Sequence, residues 1–248
     1  MKIKVLFAAL FMASVSLSAQ TNNDGIVLSA SDFGFASVST DIHSANINGK
    51  TYYYTEVKSN PAYAVIVGKK NAYKDFKEVV LPETFTSNDG KTLTIVAIGD
   101  KAFKKCRSIK KVDLPKTIRI IGEDAFGNAD VDDLSLKEGL IKIGDRAFLN
   151  NDIKDIHIPD GVQEIGVEAF YCFKSTIFQR NSTGTLYIPK SVYRIGDHAF
   201  AMTRNGWGAW FNSKREILCL PNHVNLDNCK DMGISREPVE DYLKGNRY

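Results

Sequence analysis

The chain has 248 residues, 44% of them hydrophobic and 25% charged, which suits a globular fold with a sizeable core and excludes a wholly disordered one. Its 32 basic and 29 acidic residues leave a formal charge of only +3, too small a bias to point to a nucleic-acid partner.

Residues 1–19 read as a secretory leader. Lys2 and Lys4 precede an apolar run from Val5 to Val15, and the small residues Ser16, Ser18 and Ala19 follow it. Cleavage after Ala19 removes two lysines and leaves 30 basic against 29 acidic residues. The apolar run is short for a bilayer, and no later stretch reaches spanning length, so the mature chain is expected to be exported without a membrane span. Residues 20–46, rich in Ser, Asn, Asp and Gly, form a loosely structured lead segment. Residues 47–78 are β-rich, carrying NGKTYYYTEV from Asn48 and AYAVIVG from Ala62.

From residue 79 to 221 the chain repeats. The hexapeptide IGDKAF at Ile98 returns as IGEDAF at Ile121, IGDRAF at Ile143, IGVEAF at Ile165 and IGDHAF at Ile195, with glycine spacings of 23, 22, 22 and 30 residues. A short apolar strand precedes each copy, in most cases ending in proline, as in Val112-Asp-Leu-Pro115 and Ile156-His-Ile-Pro159. A last strand, Ile217 to Pro221, has no hexapeptide after it. Apolar strands recurring at this period are the signature of a leucine-rich-repeat solenoid of five to six coils.

Each column has a physical task. The outer residues of Leu-x-Leu strands face the core and the middle one faces out. Pairs such as Ile118/Ile121 and Leu140/Ile143 supply the opposite wall. The glycine serves a turn at positive φ or a close approach between coils. The acid after it (Asp100, Glu123, Asp145, Asp197) is read as the N-cap of a short helical turn. The alanines let coils stack, and the phenylalanines form a buried spine.

The pattern resembles the BspA-like leucine-rich repeats of bacterial surface proteins. That resemblance implies an α/β repeat solenoid with a β-rich N-terminal cap, and an exported protein associated with adhesion and host contact. A short helix from Pro238 to Lys244, with Val239, Tyr242 and Leu243 on one face, is expected in a C-terminal cap over residues 222–248.

Function on such a scaffold belongs to exposed strand positions and to insertions. The outward ladder runs Glu78/Val80, Lys111/Asp113, Asp133/Ser135, Asp155/His157, Thr185/Tyr187 and Ile217/Cys219. Two insertions break the period, at Tyr171–Thr185 and Ala201–Arg215; the second holds Trp207, Trp210 and Phe211 among glycines. These rings are read either as partner anchors or as a lid over the last coil. Candidate binding residues are therefore Trp207, Trp210, Phe211, Asp113, Asp133, Asp155, His157 and Tyr187, for a host or surface protein or a glycan. The alternative is a structural subunit of the cell envelope.

The four histidines are scattered, and no catalytic constellation, metal site or cofactor motif is evident, so an enzyme is not expected. Cys219, His223 and Cys229 are three ligands at poor spacing for zinc. A Cys219–Cys229 disulfide suits an exported chain better. Cys106 and Cys172 lie three coils apart, roughly 14 Å at strand spacing, and are expected as packed thiols.

Overall fold

A computed structural model describes residues 39–173, 184–203, 209–210 and 215–244. The leader and residues 20–38 fall outside these residues, while the end of the 20–46 segment enters the first strand. The N-terminal region is an antiparallel meander of β1 (His43–Ile47), β2 (Lys50–Val57) and β3 (Asn60–Ile66). It joins the repeats through a parallel pairing of β3 with β6 (Thr92–Ile98), which also pairs antiparallel with β5 (Thr84–Thr86).

Two walls of strands then run through the array. One continues from β6 through β8 (Ile120–Ile121), β10 (Lys142–Ile143), β12 (Glu164–Ile165) and β14 (Arg194–Ile195), all parallel and in register. The facing wall is divided. Its first ladder joins β4 (Glu78–Val80), β7 (Lys111–Asp113) and β9 (Asp133–Ser135); its second joins β11 (Ile156–His157), β13 (Gly184–Tyr187) and β17 (Arg215–Cys219). A small antiparallel pair, β15 (Met202–Thr203) and β16 (Ala209–Trp210), lies within the second insertion.

The core fills the space between the walls. Val112, Leu114, Ile156, Ile158, Leu186 and Ile188 enter from one side, and Ile118, Ile121, Leu140, Ile143, Val162 and Ile165 from the other, all buried. Between the walls runs the aromatic spine. Phe103, Phe126, Phe148, Phe170 and Phe200 stack nearly parallel with centroids 5.0, 5.3, 5.2 and 5.5 Å apart. Tyr73 extends the column beyond Phe103 at 4.6 Å.

The turns that carry the spine are not helical among the described residues, contrary to the short helices expected there. The second residue after the glycine is left-handed in every copy: φ is 57° at Lys101, 56° at Asp124, 54° at Arg146, 54° at Glu168 and 55° at His198. A right-handed helix cannot start through such a residue. The acid consequently does not cap its own turn. Asp100 Oδ1 accepts the Glu123 amide at 2.8 Å and Asp145 Oδ1 accepts the Val167 amide at 2.9 Å, each in the following coil.

The glycine's role also resolves. Gly144 is not at positive φ, but a Cβ on it would sit 2.8 Å from the Gly122 carbonyl carbon, so only hydrogen fits where the coils meet. Backbone bonds cross at that point, from Gly144 N–H to Ile121 O at 2.8 Å and from Phe126 N–H to Ala147 O at 2.7 Å. The repeat is conserved along the chain because each coil's main chain is the next coil's hydrogen-bonding partner.

The N-terminal region conceals a further, imperfect copy. In Ile66-Val-Gly-Lys-Lys-Asn-Ala-Tyr73, Ile66 pairs with Ile98, Asn71 is left-handed at φ 65°, and Tyr73 starts the spine. Two extra residues, Val67 between isoleucine and glycine and one more between glycine and alanine, and Tyr for Phe hide it from the pattern. At the other end, Phe200 N–H bonds to Met232 O at 2.9 Å, so residues 229–233 supply a backbone partner without the hexapeptide. A helix, α1, follows at Arg236–Leu243. Its Val239 is fully buried and Tyr242 packs on the core, whereas Leu243 is 54% exposed and does not share that face as expected.

Candidate functional site

The outward ladder positions separate into two surfaces. On β7 and β9 every charge has an opposite neighbour: Lys111 lies 3.5 Å from Asp133, and Lys137 lies 3.2 Å from Asp113. Lys137 also donates to Ser135 Oγ at 2.6 Å. Directly opposed charges across a ladder are a stabilising arrangement in themselves. Asp113 and Asp133 are therefore part of a self-satisfied surface.

The second ladder is different. The His157 ring stacks on the Tyr187 ring with centroids 4.4 Å apart and planes 11° from parallel, because parallel pairing puts the two residues opposite each other. Asp155 Oδ1 accepts from the Thr185 amide at 2.9 Å and from the Thr185 hydroxyl at 2.8 Å. The Tyr187 hydroxyl lies 3.5 Å from Asp160 Oδ1. Loss of hydration, then the charge of Asp160 and the neighbouring Cys219, hold that phenol above its usual range. Asp155, His157 and Asp160 are exposed and Tyr187 is half-buried. Three of the sequence candidates, Asp155, His157 and Tyr187, thus come together, while Asp113 and Asp133 stand on the other ladder.

β17 enters this surface with a correction. Leu186 pairs with Ile217 and Tyr187 with Cys219, leaving Leu218 as an extra residue in the strand. Ile217 consequently turns to the core instead of outward, and Leu218 is 48% exposed in its place. This bulge could not be read from the apolar string Ile-Leu-Cys-Leu, in which every residue suits either face.

The expected Cys219–Cys229 bridge is not formed. Both are free thiols: Cys219 belongs to the outer face beside the Tyr187 hydroxyl, and Cys229 is buried in the C-terminal core with its thiol against Leu226 O at 3.9 Å. Cys106 and Cys172 are buried thiols, each serving as a small filler. Among the described residues there is no group of three or more His, Cys, Asp or Glu side chains disposed to hold a metal. No helix among them is long and apolar enough to cross a membrane.

The insertion candidates are reached only in part. Trp207 and Phe211 lie outside the described residues, as do residues 174–183 of the first insertion. Trp210 is placed by its backbone, paired with Met202 in the β15–β16 hairpin.

One polar group escaped the sequence reading altogether. Asn151 is buried; its Nδ2 donates to Phe126 O at 2.8 Å and its Oδ1 accepts from the Val131 amide at 2.8 Å. It ties two coils where the facing wall changes ladder. A single asparagine outside the repeated hexapeptide gives no signal in spacing.

Residues 96–204 match the family model of the BspA type leucine rich repeat region, in six copies. This array is a BspA-type leucine-rich repeat region. Comparison with curated proteins returns no match. Among solved structures the chain is similar to the T. pallidum leucine-rich repeat protein, at 27% identity and a TM-score of 0.47, covering 60% of this chain and 63% of that one. It is also similar to a leucine-rich repeat protein from Bacteroides ovatus ATCC 8483, at 24% identity and a TM-score of 0.47, covering 78% and 42%. The pneumococcal vaccine antigen PcpA aligns at 18% identity and a TM-score of 0.45, covering 71% and 50%. The chain thus spans less than two thirds of the length of each of these structures. The BspA-type match is to a repeat region and indicates no enzymatic family.

Proposed function

We propose that this chain is an exported binding module, a capped repeat solenoid that holds a protein or glycan partner on the outer face of β11, β13 and β17, in the manner of an adhesin. The observation that carries the reading is the His157–Tyr187 stack, bordered by the carboxylates of Asp155 and Asp160. Rings fixed by stacking and carboxylates fixed by hydrogen bonds lose little freedom on binding. Aromatic side chains of this kind are the usual anchors of an interface.

The leader at residues 1–19 supports export. The aromatic insertion supports the location, because it joins the Phe200 turn directly to β17, whose Cys219 is paired with Tyr187. Trp207, Trp210 and Phe211 are assigned as a second set of anchors on that basis.

The test is a binding screen of the mature chain against extracellular-matrix proteins, mucins and glycans, with a His157→Ala/Tyr187→Ala variant and a Trp207→Ala/Trp210→Ala variant alongside. Capture should be lost in the first variant and weakened in the second, at unchanged melting temperature. An Asp113→Asn/Asp133→Asn control should bind as wild type. Silence across the panel removes the reading. Leu218, exposed on an edge strand, supports a second one: an envelope assembly subunit that associates through β17. Sedimentation of wild type against Leu218→Asp separates the two.

A further inference from the structure

The near-neutral charge of the whole chain conceals a strong local imbalance. The loop 69–77 and the first full turn 101–111 together hold ten basic residues, Lys69, Lys70, Lys74, Lys77, Lys101, Lys104, Lys105, Arg107, Lys110 and Lys111, and one acid, Asp75. The fold places these two segments against each other. The Tyr73 ring packs tilted against Phe103 at 4.6 Å, and the Lys110 amide donates to Lys77 O at 2.7 Å. A Cβ at Gly68 would touch Ala102 O at 3.0 Å. The buried hidden repeat is therefore what assembles the charge on one surface.

Some of these cations are already engaged. Lys104 pairs with Asp124 at 2.8 Å, Lys110 with Asp130 at 2.6 Å and Lys111 with Asp133 at 3.5 Å, while Lys69 lies over the Tyr53 ring at 4.4 Å. Lys70, Lys74, Lys77, Lys101, Lys105 and Arg107 are exposed and have no ion pair among the described residues. Six like charges on two packed loops repel one another, and an anionic partner relieves that repulsion.

We infer that this surface binds a linear polysaccharide bearing sulfate or carboxylate groups, at a site separate from the His157–Tyr187 face. The chemistry of the patch favours this over other polyanions. Its aromatic residues Tyr73 and Phe76 are buried or half-buried against the spine, so no exposed ring is offered to a nucleic-acid base. Among the described residues the exposed large apolar ones, Ile42, Phe173, Tyr193, Leu218 and Leu243, all lie outside it, so it presents no wedge to a bilayer. Compact ammonium groups on flexible stems suit anions spaced along a sugar chain.

The experiment measures binding of the full chain to heparin at several salt concentrations. The patch variant carries Lys70→Glu, Lys74→Glu, Lys105→Glu and Arg107→Glu; the control carries Lys58→Glu, Lys154→Glu, Lys190→Glu and Lys230→Glu, an identical change in net charge. Wild type should bind with affinity that falls as salt rises; the patch variant should bind at least about tenfold more weakly, and the control within about twofold of wild type. Both variants should melt with wild type. Absence of heparin binding, or equal loss in both variants, overturns the proposal. So does patch-dependent binding of duplex DNA or phosphatidylserine vesicles as tight as that of heparin. The His157→Ala/Tyr187→Ala variant should retain heparin, which keeps this site's failure distinct from failure of the adhesive face.

Discussion

Each coil has a turn side and a ladder side, and the two obey different rules. On the turn side the main chain of one coil bonds to the main chain of the next, and a Cβ at Gly144 would meet the Gly122 carbonyl carbon at 2.8 Å. Sequence there is dictated by clearance, so Gly, Ala and Phe recur. On the ladder side the strands also pair in parallel, but the wall is divided and outward side chains meet only their lateral neighbours. One strand pair can set Lys against Asp and another His against Tyr on the same frame. Repetition marks what the scaffold requires; departure from repetition marks where chemistry has room to differ.

The sharpest way to break that comparison is to alter the turn side. Phe148→Ala empties a position that is 1% exposed and removes two stacking contacts, at 5.3 and 5.2 Å. It should cost about 3–5 kcal/mol by denaturant unfolding. Gly144→Ala adds a single carbon, yet should cost about 1–3 kcal/mol because what it meets is backbone. If Gly144→Ala proves neutral, the coils are not in the close contact described.

The sequence made the array legible because a hexapeptide in register overdetermines it, and the buried spine and the two apolar walls follow from its columns. The turns were misread as helical, because an acid after glycine has the same appearance whether it caps its own helix or bonds to the next coil. Only the left-handed φ of residues such as Arg146 distinguishes them. The copy at Ile66–Tyr73 is hidden by two inserted residues that break the hexapeptide's spacing. Of the site, Asp155, His157 and Tyr187 were legible from alternation. Their separation from Asp113 and Asp133 was not, since a ladder that divides at Asn151 leaves no trace in spacing.

Tyr52 and Tyr73, the most deeply buried tyrosines at the N-terminal end, give an intermediate effect and a pH signature. Tyr73 donates to Val67 O at 2.8 Å and accepts from the Tyr53 amide at 2.8 Å; Tyr52 is as deeply buried, with its hydroxyl unpartnered among the described residues. Tyr73→Phe should cost about 1–3 kcal/mol and Tyr52→Phe almost nothing. Burial raises the pKa of both phenols, and burial together with Glu164 pushes Tyr193 up to about 12. A raised folded pKa means that the unfolded chain loses its protons first. Stability should therefore be fully present below the ordinary tyrosine value near 10 and fall as pH climbs above it. Melting curves from pH 8 to 11 check this, and Tyr52→Phe should flatten the alkaline fall without changing the neutral melting temperature.

The smallest expected effect lies on the ladder side. Lys111, Asp113, Asp133 and Lys137 form ion pairs at 3.5 and 3.2 Å, with side chains between 36% and 60% exposed. Exposed pairs of this kind are screened by salt and contribute about 0–1 kcal/mol each. Exchanging all four charges, Lys111→Asp, Asp113→Lys, Asp133→Lys and Lys137→Asp, keeps both pairs and should leave unfolding within about 1 kcal/mol of wild type. Exchanging only Asp113 and Asp133 for lysine sets like charges side by side and should cost more, with a penalty that shrinks in high salt. Equal stability of the two variants at low salt would mean that the first ladder senses charge no more than the second ladder's open face does, and the contrast between self-satisfied and available surface would fail there.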